Sequence, residues 1–185
     1  MDRAQRRVRR LGSGAVTDAL PLSADAARRR AHYAEVRRQL DALLEGEDDP
    51  VAAMATVACE LHHGFAYFHW TGFYRVIAPG LLAVGPYQGG HGCLRIPFSR
   101  GVCGAAARTR ATQRVDDVHA VADHIACSSS TRSEIVVPIL DAHGETIAVL
   151  DVDSDDPAAF GDADQEALES ICRELGARFG GPAGA

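Results

Sequence analysis

Two runs of strand character, each folded back by a tight turn, constrain this chain more than any other feature. FAYFHWTGFYRVIA is aromatic and β-branched, Pro79-Gly80 breaks it, and LLAVGPY follows; SEIVVPIL and ETIAVLDVDS flank Asp141-Ala-His-Gly144 in the same way. Strands joined by turns this short pair antiparallel, so the sequence predicts two hairpins. Helical patterns stand at both ends of the chain. Ser23 is placed to cap a first helix whose apolar side is Ala27, Ala31, Ala34, Val36, Leu40 and Leu44, with Gly46 ending it. Asp49-Pro50 opens a second helix to about His63 with the stripe Val51, Met54, Ala55, Ala58 and Leu61. A last helix opens with Asp162 and Gln165 as a capping box and carries Leu168, Ile171, Cys172, Leu175 and Phe179 on one side. Between the hairpins, CLRIP reads as a short strand, GVCGAAARTR as a short helix and DDVHAVADHIACSSSTR as a long polar loop of the kind that carries function. Helices that must cover an antiparallel sheet make an α+β domain.

The chain has 185 residues, a length that builds one core burying roughly 70% of the unfolded surface. Its net charge of −6 conceals two unlike parts. Ten of the nineteen basic residues, all of them arginine, and only four of the twenty-five acidic ones lie in residues 1–38, which leaves +6 there and −12 beyond. A body at −12 repels a nucleic-acid backbone, so no nucleic-acid partner is expected for it. The organisation read from sequence is a flexible basic extension over 1–24, a folded domain over 25–180 and a short tail over 181–185. The extension also has the composition of a nucleic-acid or anionic-surface arm, or of a targeting segment. No run reaches the 18 or so apolar residues of a membrane span, so no membrane partner is expected. Five irregularly spaced cysteines with no apolar leader before them argue against a secreted disulfide framework and for a cytoplasmic protein.

Three groups of residues could carry chemistry. Cys93, Cys103 and Cys127 fall in the glycine- and polar-rich middle of the chain, off any apolar stripe, whereas Cys59 and Cys172 read as framework. Redox work needs one thiolate to attack and a second thiol to resolve the product, close in space and not in sequence. Buried filler is the alternative, and a zinc site using His91 with Cys93 and His124 with Cys127 lacks the usual paired spacing. The period of two on ETIAVLDVDS places Ile147, Val149, Asp151 and Asp153 on one face, with the two carboxyl groups about 7 Å apart. Glu134 starts the partner strand and can reach the same end of the sheet. Such a group could grip an ammonium, or it could be a solvated strand end. In HWTGFY, Trp70 and Tyr74 share one strand face and Phe73 takes the other; a Trp–Tyr wall suits a pocket for a small ligand with an apolar arm and is equally ordinary in a core.

WTGFY, then LLAVGPYQGGHGCLRIPFSRGVCGAA, VDDVHAVADHIACSSSTRSEIVVPIL and IAVLDVDS, over about residues 30 to 178, resemble the free methionine-(R)-sulfoxide reductase family, whose domain is of the GAF type. The resemblance implies a GAF-like antiparallel sheet flanked by helices, a homodimer, and a pocket for free methionine sulfoxide. Carried over by motif, it makes Cys127 the attacking cysteine, Cys93 its recycling partner and Cys103 a third, assisting one. Trp70 and Tyr74 then form an aromatic wall, and Glu134, Asp151 and Asp153 hold the amino group and the sulfoxide. It implies a reductant of the thioredoxin kind. Nothing in the chain suggests a flavin or nicotinamide site, so no cofactor and no metal are expected. The competing expectation is a GAF-type sensor that binds a small molecule without turnover.

Overall fold

The computed structural model describes residues 18–120 and 129–181; the expected extension up to residue 17, His124 and Cys127, and the last four residues lie outside it. Its elements are α1 (Ala26–Leu43), α2 (Pro50–Gly64), β1 (Trp70–Ala78), β2 (Leu81–Gln88), β3 (Arg95–Pro97), α3 (Gly101–Thr109), β4 (Gln113–Val115), β5 (Ser133–Leu140), β6 (Thr146–Ser154) and α4 (Asp162–Phe179). The strands form one antiparallel sheet in the order β3-β2-β1-β6-β5-β4. Both expected hairpins are present. Their central strands β1 and β6 lie side by side, which puts the strongest motifs of the chain at the middle of the sheet.

Alternation along the central strands divides the interior in two. Phe73, Ile135, Val137, Leu150 and Val152 face the core shared with α1, α2 and α4. Trp70, Tyr74, Val136 and Val149 face a second, smaller core with Cys103, Ala106 and Ala107 of α3. The large core supports the fold, and among the described residues α3 and the loop after β2 pack on the other face.

Several local expectations change in the folded chain. Asp25, not Ser23, caps α1, accepting from the Arg28 N–H at 2.8 Å. The alanine side Ala27, Ala31 and Ala34 is exposed, and Tyr33, Val36, Leu40 and Leu44 face inward. The cause is a polar anchor: Asp164, fully buried at the start of α4, pairs with Arg29 and accepts from Tyr33 Oη at 2.9 Å and Tyr67 Oη at 2.6 Å. Orienting α1 toward that carboxylate turns the alanines to solvent. The core also reaches back past the expected boundary at residue 24. Leu20 and Ala24 are buried, and Leu20 bridges to the α2–β1 connection through hydrogen bonds with Gly64 and Ala66.

In α2, Asp49 caps as expected, but Ala53 and Val57 replace Val51 and Ala55 on the buried side. Phe65, Tyr67 and Phe68 do not extend β1; they form an aromatic cluster ahead of it, with Phe65 and Phe68 stacked at 4.7 Å. The residue before α4 is Gly161, whose N–H donates to Asp164 at 2.8 Å, so Asp164 takes the role expected of Gln165. The long polar stretch holds a 3₁₀ turn at Val118–Ala120, preceded by the short strand β4.

Candidate active site

The register of three adjacent strands assembles one polar surface. Trp70, Gly72 and Tyr74 of β1 stand opposite Asp153, Asp151 and Val149 of β6, and on the far side of β6 Glu134 pairs with Asp153 and Val136 with Asp151. With side chains alternating across a strand, these residues share a face. The structure therefore brings together Trp70, Tyr74, Glu134, Asp151 and Asp153 from three elements. Glu134 and Asp151 are each only 5% exposed, so they are not a solvated strand end.

The aromatic part is a row of three rings. Trp70 stacks on Tyr74 at 5.8 Å and 24°, and on Tyr87 of β2 at 5.4 Å and 17°. Gly72 lies between Trp70 and Tyr74 on the strand. A Cβ there would fall 2.6 Å from Trp70 Cη2 and nearer still to Tyr87 Cβ, so only glycine fits. The same rings hold the glycine-rich loop after β2. Trp70 Nε1 donates to the Gly90 carbonyl at 3.1 Å, Tyr74 is hydrogen-bonded to the Cys93 backbone, and a Cβ on Gly92 would sit 2.9 Å from both Trp70 and Tyr74 Oη. Trp70 and Tyr74 thus fix the position of Cys93. Tyr87, Gly72 and Gly92 belong to this arrangement and were not singled out from sequence, although all three lie inside the aromatic and glycine-rich motifs.

Cys103 comes from the first turn of α3 and is buried. Its Sγ lies 4.0 Å from Glu134 Oε1, and Cys103, Glu134 and Asp151 each place one ligand atom within 4.8 Å of the others. Burial, and then the Asp151 and Glu134 carboxyls, push its thiol well above the usual range. A thiol in that state is a weak nucleophile, which sets Cys103 apart from the attacking role. Burial likewise raises Asp151, with Glu134 adding to it, and raises Asp153, with Asp151 adding to it. Acidic groups packed this closely favour their protonated forms more than a carboxyl in water does.

Cys93 is half-buried and disulfide-bonded, which removes it as a thiolate ligand for the zinc arrangement weighed from sequence. Cys127 lies outside the described residues. Cys172 is buried between α4 and β5 with Sγ 4.0 Å from the Val137 carbonyl, and Cys59 sits 3.7 Å from His63 Nδ1 on α2. Both are remote from the acidic face.

Comparison with known proteins shows the family. The GAF domain family profile matches residues 36–179. A free methionine-R-sulfoxide reductase of Escherichia coli (strain K12) is 38% identical over 143 residues, covering 77% of this chain and 86% of that protein. The chain belongs to the free methionine-R-sulfoxide reductase family of GAF domains. A second relative of that name, from Saccharomyces cerevisiae, is 37% identical over 139 residues, covering 72% of this chain and 77% of that protein. Among solved structures, the free methionine-R-sulfoxide reductase from Neisseria meningitidis in complex with its substrate superposes with a TM-score of 0.78 at 44% identity, covering 88% of this chain and 96% of that one. Among the described residues, no helix is long and apolar enough to cross a membrane.

Proposed function

We propose that this chain reduces free methionine (R)-sulfoxide to methionine with its own cysteines, and that a dithiol protein of the thioredoxin kind regenerates it. The observation that carries this reading is the buried acidic face, Glu134, Asp151 and Asp153 in cross-strand register beside Trp70 and Tyr74, with disulfide-bonded Cys93 on the loop those rings hold. The names of the relatives support it.

The substrate is a zwitterion with a short apolar arm ending in a polar S–O group. Buried carboxylates suit its ammonium, and an aromatic wall suits its methylenes and methyl group. Exclusion of residues within proteins follows from the same chemistry, because a peptide-linked methionine has no ammonium to offer. The Cys127 thiolate attacks the sulfoxide sulfur, and as the S–O bond breaks the oxygen, taking up one proton, passes to the cysteine sulfur. Methionine departs, and Cys127 is left as a sulfenic acid. Asp151 or Asp153, kept protonated by burial and by its acidic neighbours, supplies that proton. The Cys93 thiol then displaces water from the sulfenic acid to give a disulfide, and an external dithiol reduces that bond by exchange, becoming a disulfide itself. The disulfide-bonded state of Cys93 corresponds to the product this cycle assigns to Cys93 and Cys127. Cys103 assists from below the acidic face. The protein works as a homodimer in a reducing, cytoplasmic compartment.

The test is an assay of free R and S sulfoxides with a dithiol reductant, with Cys127→Ser as control. Turnover of the R form alone, abolished in Cys127→Ser, is the expected result. A sensor that only binds would leave the free-thiol count unchanged on adding sulfoxide, whereas the proposed reaction consumes two thiols per chain. Peptide mapping of the oxidised protein tests the pairing, and a Cys127–Cys103 bond with Cys93 free would overturn it. Size-exclusion chromatography with light scattering tests the dimer.

A further inference from the structure

Three candidate ligands of a soft divalent cation converge at a place where the proposed reaction calls for no metal. Cys103 Sγ, one oxygen of Glu134 and one of Asp151 lie within 4.8 Å of one another, all on buried residues. They come from α3, β5 and β6, so tertiary packing and no local motif assembles them. Tetrahedral zinc, with Zn–S about 2.3 Å and Zn–O about 2.0–2.2 Å, holds sulfur and oxygen about 3.6 Å apart. Cys103 Sγ and Glu134 Oε1 stand at 4.0 Å, a few tenths of an ångström from that geometry by side-chain adjustment alone. A separate observation points to a cationic occupant: the Asp151 carboxyl interacts with Cys103 and Glu134, yet its Oδ1 is buried without a hydrogen-bond partner. Buried polar atoms are nearly always paired, and an orphaned carboxylate oxygen marks a partner that arrives from outside the chain.

We propose that Cys103, Glu134 and Asp151 form a binding site for a thiophilic divalent cation such as zinc, with the remaining coordination position open to water. Binding converts the Cys103 thiol to a zinc-bound thiolate and releases its proton, with any proton held by the carboxyl pair, to solvent, so affinity rises with pH. On the reading given above, the same carboxyl groups receive the substrate's ammonium. Cation and substrate therefore exclude one another, and zinc acts as a reversible inhibitor that competes with the sulfoxide.

Cobalt(II) titrated into the full-length oxidised protein tests this directly, because a cobalt–thiolate bond absorbs light where cobalt–carboxylate and cobalt–imidazole complexes do not. The expected result is a band that saturates at one equivalent and is displaced by zinc. It is lost in Cys103→Ser and Asp151→Asn and kept in Cys59→Ser and in the double variant Cys93→Ser/Cys127→Ser, with folding of each checked by circular dichroism. No band in the wild type, a band that persists in Cys103→Ser, or loss of the band in the double variant overturns the site. Free methionine sulfoxide added to the cobalt form is expected to bleach the band. A Cys103-dependent band unmoved by saturating sulfoxide overturns the competition. An intact band in a protein that turns over no sulfoxide counts against the reductase reading and leaves the cation site standing.

Discussion

Gly72 on β1 stands directly opposite Asp151 on β6, and the side chain it lacks is what lets Trp70 and Tyr74 stack over that edge of the acidic face. Gly72→Ala should therefore be disproportionately damaging for a single methyl group. Overpacking of this kind costs about 1–3 kcal/mol. For a domain of this size that lowers Tm by roughly 2–4 °C per kcal/mol. Because Trp70 must shift, sulfoxide turnover should fall further than the loss of folded protein explains, which parallel melting and activity measurements on the same sample would reveal.

Trp70→Phe removes the Nε1 donor to Gly90 while keeping an aromatic ring. The loop that presents Cys93 loses one of its fixed points, so resolution should slow more than attack. The sulfenic acid then lives longer, and trapping with dimedone followed by mass spectrometry should capture several-fold more adduct than in the wild type. Equal trapping in both proteins would detach Trp70 from the positioning of Cys93.

Burial raises Asp151 and Asp153, so their folded pKa values lie above those of the unfolded chain. Such groups contribute stability that is present below the unfolded carboxylate range, about pH 4, and is lost as pH rises through the folded values. Each ionising group can tilt the curve by up to about 1.4 kcal/mol per pH unit in that window. Asp151→Asn cannot ionise and should be more stable than the wild type at pH 8, with the difference shrinking toward pH 4. Urea denaturation across pH measures this directly.

The same substitution should cost activity. If Asp151 supplies the proton, Asp151→Asn loses about a hundredfold or more in kcat, the usual scale of a general acid. Retention of wild-type kcat and pH profile would move the donor to Asp153, where Asp153→Asn provides the same test.

The Asp164 anchor predicts a pure stability defect. Asp164→Ala strands the mostly buried Arg29 and leaves Tyr33 and Tyr67 without their acceptor. Breaking a buried charge pair of this type costs about 3–5 kcal/mol. The anchor lies on the helix side of the sheet, away from the acidic face, so the fraction still folded should keep its kcat.

The sequence by itself determined the two hairpins, the antiparallel pairing they impose, the terminal helices, and the sharing of one strand face by Asp151 and Asp153 and of another by Trp70 and Tyr74. Each of these depends on a period of two or on a turn, and both are local properties of the backbone. Only the tertiary structure decided that β1 and β6 are neighbours, which joins those two faces into one. It also decided that α3 lays Cys103 against Glu134 and Asp151, and that α1 turns Tyr33 inward and its alanines outward. A helix period shows that a side exists, but the partner decides which side is buried, and here a buried carboxylate 131 residues from Tyr33 outweighed a row of alanines with little surface to hide.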